Sequence, residues 1–171
     1  TILASKAPVL DADGNPMGVV GFFADASTET ASSMLDVQGL HRIFKMYLHA
    51  YEKHGIDFTA CVLSMQYPLE YERFLGLEFK SKLHDEMIRA IGRGLGNNGV
   101  CGACSHGTFV VFHQMEPGKA GHCGICASIA QVKDIDGTPC EIPFESKSRN
   151  YSQCASPQAM LEMLTAHLDD D

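Results

Sequence analysis

Basic residues are scarce in this sequence. Lysine and arginine number 13 against 21 aspartates and glutamates, which gives the chain of 171 residues a net charge of −8 and a pI near 5.4. Non-specific binding to nucleic acid or to an anionic membrane needs a basic surface. We therefore expect neither nucleic acid nor a membrane as a partner of this chain.

Long hydrophobic runs are missing as well. No apolar stretch approaches the roughly 20 residues that span a bilayer, and residues 1–10 lack the charged-then-apolar layout of a secretory signal. A disulfide framework is not indicated, because the seven cysteines are odd in number and a chain with 45% hydrophobic residues can form a core without cross-links. We therefore expect a reducing environment, the cytoplasm.

What the sequence does contain is a series of strand-like and helical stretches. Two apolar runs with turn residues between them predict a β-hairpin within residues 6–26. Apolar residues recur at helical spacing over residues 34–55, and the uninterrupted apolar run at residues 58–65 predicts a buried strand. Residues 67–95 are again helical in pattern, with a break predicted near Gly76.

The remaining stretches complete a mixed fold. They predict a hairpin, a helix, an edge strand and a last helix, at residues 100–112, 116–132, 138–152 and 156–168. The order of elements predicts an α/β (α+β) fold, in which a central, mostly antiparallel sheet is flanked by helices. A strand, a helix, a hairpin, a helix and a strand in this order are typical of a ferredoxin-like core, to which an N-terminal hairpin is added.

Three short motifs, DVQGLHR at residues 36–42, DEMIRAIGRGL at residues 85–95 and SHGTF at residues 105–109, together resemble the GGDEF domain, the domain of diguanylate cyclases. Residues 36–42, DVQGLHR, resemble a shortened form of the family's opening motif. Residues 85–95, DEMIRAIGRGL, are similar to the helix that the family opens with Gly-Asp-x-Val-Leu. The turn at residues 105–109, SHGTF, falls where the family has its Gly-Gly-Asp-Glu-Phe sequence. The order and spacing of the three motifs together carry the resemblance.

The resemblance implies an organisation in three parts. Residues 1–27 resemble the closing hairpin of a PAS sensor domain, which is a frequent neighbour of GGDEF domains. A connecting helix over residues 28–55 would follow, and a GGDEF-like domain with a nucleotidyl-cyclase core would occupy residues 56–171. A PAS ligand pocket needs strands that this chain does not contain, so we expect no sensing by the hairpin itself.

The residues that hold metal in active GGDEF domains are replaced in this sequence. In active members, two divalent metals bind between an aspartate at the end of the first strand and the acidic pair of the hairpin turn. Ser64 stands at the strand position, Ser105 and His106 stand for the two glycines, and Gly107 and Thr108 stand for the acidic pair. Neutral groups cannot replace carboxylate charge on Mg²⁺. The resemblance therefore implies a degenerate domain with no catalytic residue and no bound metal or cofactor.

A vestigial nucleotide site is the most that the family pattern retains. Asp85 matches a guanine-recognising position, and we assign it to this site together with Ser64 and residues 105–108. We expect an inactive signalling module that acts as a homodimer or through a partner protein, with GTP or cyclic di-GMP as ligands of the residual site. The alternative is a divergent active cyclase that makes cyclic di-GMP from GTP, for which Glu70, Glu72 and Asp85 are the nearby carboxylates.

The cysteines offer a different interpretation of the same stretch. Cys101-x-x-Cys104 and Cys123-x-x-Cys126 are 18 residues apart, which is a spacing found in four-cysteine zinc sites. Against this, Cys101 and Cys104 would point to opposite faces if they lie on a regular strand. Buried cysteines also serve as small hydrophobic residues. We favour the GGDEF-like interpretation, because an ordered set of motifs is more specific than one spacing.

Overall fold

The computed structural model describes residues 2–10, 13–25, 35–67, 69–96, 99–105, 107–114 and 123–166. Its strands are β1 Ile2–Leu10, β2 Pro16–Asp25, β3 Phe58–Met65, β4 Gly99–Ser105, β5 Thr108–Gln114, β6 Asp134–Ile135, β7 Thr138–Pro139 and β8 Phe144–Asn150. Its α-helices are α1 Val37–His54, α2 Leu69–Leu95, α3 Cys123–Ala130 and α4 Pro157–Thr165. A 3₁₀ helix, Tyr151–Gln153, connects β8 to α4.

The central sheet has four strands in the order β4-β5-β3-β8, and all neighbouring strands are antiparallel. Helix α2 connects β3 to β4, and α3 lies between β5 and β8 in the chain. This arrangement of strand, helix, two strands, helix and strand is the ferredoxin-like core that the sequence predicts. The fold-class prediction is therefore confirmed. The short strands β6 and β7 form a separate hairpin between α3 and β8.

Side chains alternate along each strand, so both faces of the sheet carry apolar residues. Helices cover both of these faces. One face, which we call the α1/α4 face, is formed by the buried residues Leu40, Ile43, Phe44, Phe58, Ala60, Val62, Val100, Val110, Phe112, Met160 and Leu164. The other, the α2/α3 face, is formed by Cys61, Leu63, Phe79, Leu83, Met87, Ala90, Ile91, Phe109, Val111, Ile125, Ile129, Val132, Ile135, Cys140 and Ile142. Strand β3 therefore contributes to two separate clusters, which explains its uninterrupted apolar sequence.

The helix boundaries follow their capping residues. Asp36 is the N-cap of α1 and accepts a hydrogen bond from the Gly39 amide at 2.7 Å. Gly55 ends α1 in the left-handed conformation with φ +68°. Gly76 interrupts α2 with φ 77° and ψ 175°, which confirms the predicted break. Ser156 caps α4, as predicted, by accepting from the Ala159 amide at 3.1 Å.

Three predicted elements differ from the structure. Helix α3 ends at Ala130 rather than near Val132, because the chain turns there and the Val132 amide bonds to the Ile129 carbonyl at 3.1 Å. The strand predicted at residues 138–152 is divided into β7 and β8, since Pro143 has no amide to donate and lies just before β8. Helix α1, predicted from residue 34, begins only at Val37, because Leu35 forms a bridge with β4 and Asp36 caps the helix. The predicted beginning of α3 lies outside the described residues.

The N-terminal hairpin is present as predicted. Strands β1 and β2 pair antiparallel from Ile2 opposite Asp25 to Leu10 opposite Pro16, and they form a two-stranded sheet of their own. Gly14 lies in the turn with φ +83°, a conformation that favours glycine. Among the helices that the structure describes, none is both long and apolar enough to cross a membrane.

Helices α2 and α3 pack backbone against backbone. A Cβ at Gly94 would lie 2.5 Å from the Ile125 Cα and 2.7 Å from the Gly124 carbonyl oxygen. Neither distance is possible for a real side chain, so this crossing requires glycine at position 94.

Candidate functional site

One row of residues crosses the whole sheet at the end that carries the β4–β5 turn. Ser105 pairs with Thr108, Thr108 with Ser64, and Ser64 with Glu145. Ser64 and Thr108 share the α1/α4 face, because Val62 and Val110 two residues away belong to its buried cluster. Directly paired residues have Cβ atoms about 4.5–5.5 Å apart. The sheet therefore brings together Ser64 and Thr108, which the sequence assigned to one site.

The turn itself is fixed to the neighbouring strand. The Met65 amide donates a hydrogen bond to the Gly107 carbonyl at 2.7 Å. Gly107 has φ +89°, while a Cβ there would meet Met65 no closer than 3.5 Å, so the backbone angle and not a lack of space favours glycine. Thr108 is 5% exposed, which places its hydroxyl at the edge of the core. His106 and the side chain of Ser105 lie outside what the structure describes.

The described side chains of this row are two hydroxyls and one carboxylate. Ser64 and Thr108 are neutral, and Glu145 is exposed on the edge strand β8. Within the described ranges no group of three or more histidine, cysteine, aspartate or glutamate side chains could hold a metal ion. The sequence prediction missed Glu145, because its register with Ser64 depends on where β8 begins. The Gln66 amide fixes that register by donating to the Pro143 carbonyl at 2.9 Å.

Asp85 lies on α2, on the opposite side of the sheet from the hydroxyls of the row. Its side chain is 62% exposed, and Asp85 Oδ1 lies 3.9 Å from His84 Nδ1. The His84 ring packs on Phe109 at a centroid distance of 5.4 Å, which ties this part of α2 to β5. Glu70 and Glu72 belong to the first part of α2, before the break at Gly76, and their side chains are outside the described set.

The described cysteines of the zinc interpretation do not share one location. Cys101 packs against the α2/α3 cluster and Cys104 against the α1/α4 cluster, on opposite sides of the sheet. Cys126 Sγ lies 3.8 Å from Ser146 Oγ. Burial raises the pKa of the Cys101 thiol to about 12, which disfavours the thiolate form that binds zinc. The side chain of Cys123 is not among those described, and its role stays a prediction.

Comparison with known proteins supports the fold by structure and not by sequence. No protein-family model and no curated protein sequence matches the chain. Among solved structures, the GGDEF domain of FimX from Pseudomonas aeruginosa superposes with a TM-score of 0.68 at 9% identity, covering 85% of this chain and 93% of that one. The GGDEF domain of DgcB from Caulobacter crescentus, in complex with c-di-GMP, gives 0.68 at 14% identity, with coverages of 85% and 89%.

A third similar structure is a complex. The diguanylate cyclase SiaD from Pseudomonas aeruginosa, solved with its activator SiaC, gives a TM-score of 0.66 at 13% identity. The match covers 80% of this chain and 54% of the SiaD chain. At such identities structural similarity establishes the fold and leaves the chemistry open. The chain therefore has a GGDEF-like fold, which is the fold of diguanylate cyclase domains.

Proposed function

We propose that this chain is a catalytically inactive GGDEF-like signalling module of a bacterial cytoplasm. It acts by binding a second copy or a partner protein, and it retains at most a residual site for GTP or cyclic di-GMP. The N-terminal hairpin is proposed as the end of a PAS-like sensor, followed by the connecting helix and the GGDEF-like domain. The pairing of Ser64 with Thr108 is the observation that carries the proposal.

The missing negative charge at Ser64 and Thr108 supports the absence of catalysis. Two magnesium ions between β3 and the turn need anionic oxygen ligands, because Mg²⁺ gives up its water reluctantly. The two paired positions carry hydroxyls, whose oxygens are neutral at any pH near 7. Ser64 and Thr108 can donate or accept single hydrogen bonds, but they supply no negative charge to balance a metal bound to a triphosphate. The arrangement thus supports ligand or partner recognition better than phosphoryl-group chemistry.

Product analysis tests the absence of catalysis. The full chain is incubated with GTP and either Mg²⁺ or Mn²⁺, and the products are separated by chromatography beside an active diguanylate cyclase. We expect GTP to be recovered intact and no cyclic di-GMP to form. Formation of cyclic di-GMP by the chain would contradict the proposal.

Residual nucleotide binding is a separate question with its own experiment. Isothermal titration with GTP and with cyclic di-GMP measures whether either ligand binds to the full chain. If Asp85 recognises guanine, Asp85→Asn should weaken GTP binding by about tenfold, the cost of one charge-assisted hydrogen bond. Glu162→Gln is the matched control, because Glu162 is an exposed carboxylate on α4. Equal weakening in both variants would argue against a role for Asp85.

A partner protein is proposed on the basis of the fold and of one similar structure. The diguanylate cyclase SiaD was solved in complex with its activator SiaC, and the match with this chain covers 54% of SiaD. A protein that contains this fold can therefore be part of a complex with a separate regulator. Size-exclusion chromatography with light scattering measures whether this chain forms a homodimer. A monomer at high concentration would argue for a separate partner, and a stable dimer would argue for self-association.

The divergent active cyclase remains a second candidate, and Glu145 is the observation that favours it. This exposed carboxylate is paired with Ser64 in the row beside the turn. If cyclic di-GMP does form, Glu145→Gln should lower turnover at least about a hundredfold, as expected when a metal-binding charge is lost. Glu141→Gln is the control. The Glu141 carboxylate lies 2.6 Å from Lys133 Nζ, and the residue is outside β8. Unchanged turnover in Glu145→Gln would exclude this role.

A further inference from the structure

The outer edge of β4 is paired with the chain that precedes α1. The Leu35 amide donates to the Cys101 carbonyl at 3.2 Å, and the Leu35 carbonyl accepts from the Ala103 amide at 3.1 Å. Leu35 thereby forms a parallel bridge opposite Gly102, outside the strands of the sheet. Residues 35–40, which run from this bridge into the first turn of α1, are called the lead-in segment below.

The lead-in segment is closely packed against β4. A Cβ at Gly102 would lie 2.6 Å from both the Leu35 carbonyl oxygen and Leu40 Cγ, so this contact requires glycine. A Cβ at Gly39 would lie 3.0 Å from Leu35 Cβ and from Asp36 Oδ1. The Asp36 carboxylate also accepts from the Gly39 amide at 2.7 Å. The bridge, the helix cap and the first helical turn therefore form one closely packed unit.

The same strand leads directly to the candidate site. Ser105, at the end of β4, follows Gly102 by three positions, a distance of about 10 Å in extended chain. Pairing with β5 is irregular between Ala103 and Ser105, so this last part of β4 has a less regular ladder. Beyond it, the Gly107 carbonyl is held by the Met65 amide at 2.7 Å.

We propose that the lead-in segment positions Ser105 and Gly107 through β4, so that movement of Leu35 reaches the candidate site. Release of Leu35 would free the amide of Ala103 and the carbonyl of Cys101 at the strand edge. Of its described backbone hydrogen bonds to other segments, the end of β4 would then keep those to β5, across the irregular stretch, and Gly107 would lose part of its fixation to β3. The proposal concerns regulation of the site to which the proposed function refers.

Hydrogen exchange of single amides, measured by NMR on the full chain without nucleotide, tests the proposal. In Gly102→Ala the Leu35 and Ala103 amides should exchange about tenfold faster or more, and the Met65 amide about fivefold faster. The Phe58 amide, bonded to Asp57 at the other end of β3, should stay within about twofold of the wild type. Gly92→Ala is the control, because a Cβ at Gly92 meets nothing within 4 Å.

The proposal is overturned if Leu35 and Ala103 exchange faster while Met65 does not. Equal acceleration at Met65 and Phe58 also overturns it, because that pattern indicates global destabilisation. Leu35→Pro is the second variant, since it removes the donor to Cys101 and adds no atom to β4. If Gly102→Ala does not fold, or leaves the exchange rates of the Leu35 and Ala103 amides unchanged, Leu35→Pro tests the proposal instead. In that variant the Met65 amide should exchange faster while the Phe58 amide does not, and any other result overturns the proposal. These rates do not depend on turnover, so formation of cyclic di-GMP would contradict the inactive module and leave this proposal standing.

Discussion

The two ends of the central sheet use polar residues differently. At the end where β3 begins and β8 finishes, which we call the closed end, the Asp57 carboxylate accepts from the Phe58 and Ser152 amides, both at 3.0 Å. The Thr59 hydroxyl there donates to Asn150 Oδ1 at 2.8 Å. At the turn end, the hydroxyls of Ser64 and Thr108 make no side-chain hydrogen bond with any residue that the structure describes.

The difference separates structural from functional polar groups. A polar side chain that is already bonded within the protein holds the fold together, and its replacement costs stability. A solvent-accessible polar side chain that makes no hydrogen bond within the protein contributes little to stability and is available to a ligand. Aromatic packing adds to the contrast, because Phe58 at the closed end stacks between Tyr47 and Tyr151 at centroid distances of 5.1 and 5.2 Å. We therefore expect stability to depend on the closed end and binding on the turn end.

The largest expected effect comes from Phe58→Ala. This ring is fully buried, and truncation leaves a cavity among aromatic residues, so the free energy of unfolding should fall by about 3–5 kcal/mol. Met65→Ala is the matched change at the turn end, where the side chain is half-buried, and it should cost about 1–2 kcal/mol. Urea unfolding followed by circular dichroism measures both. An equal loss in the two variants would contradict the distinction between the ends.

A pH dependence of intermediate size is expected from Tyr47 at the closed end. Burial raises the pKa of its hydroxyl from 10.0 to about 12. The folded state therefore holds this proton to higher pH than the unfolded state, so the stabilisation is complete below pH 10 and is lost as the pH rises through about 12. Compared with Tyr47→Phe, the wild type should lose up to about 3 kcal/mol of unfolding free energy over that range. Parallel pH profiles for the two proteins would show that burial of the hydroxyl has no such effect.

The smallest predicted effects compare single hydroxyl groups. Thr59→Val keeps the shape of the side chain but removes the donor to Asn150, and it should cost about 1 kcal/mol. Ser64→Ala removes a hydroxyl that has no described partner, and it should change stability by less than about 0.5 kcal/mol. Thermal unfolding of both variants beside the wild type gives the comparison. A larger loss for Ser64→Ala than for Thr59→Val would reverse the assignment of the two ends.

The sequence predicts those parts of the fold that have a local cause. The bounds of β3 follow from eight residues of apolar and β-branched character between Asp57 and Gln66. Gly76 and the Ser156-Pro157 pair mark a helix break and a helix start by their own backbone preferences. The pairing of Ser105 with Thr108 also follows from the sequence, because a hairpin of known turn position fixes which residue lies opposite. The pairing of Ser64 with Thr108 joins β3 to β5 across α2 and β4, and only the family resemblance implied it.

Features that depend on distant contacts were beyond the sequence pattern. The alternating charges of β8 are compatible with several registers, and the hydrogen bond from Gln66 to Pro143 selects the one that pairs Glu145 with Ser64. The bridge between Leu35 and Gly102 involves one residue on each side, so it has no periodicity to detect. The sequence pattern therefore missed the Glu145 carboxylate beside Ser64 and the pairing of the lead-in segment with β4.

The close contact between α2 and α3 at Gly94 affects how the two helices can move. With the Gly94 backbone against Ile125 and Gly124, no side chain separates the two helices at this crossing point. A displacement of the second part of α2 is therefore transmitted directly to the start of α3. A ligand that displaced Asp85 on α2 would carry α3 with it, and the shift would arrive at Cys126 and Ser146 beside the exposed edge strand β8.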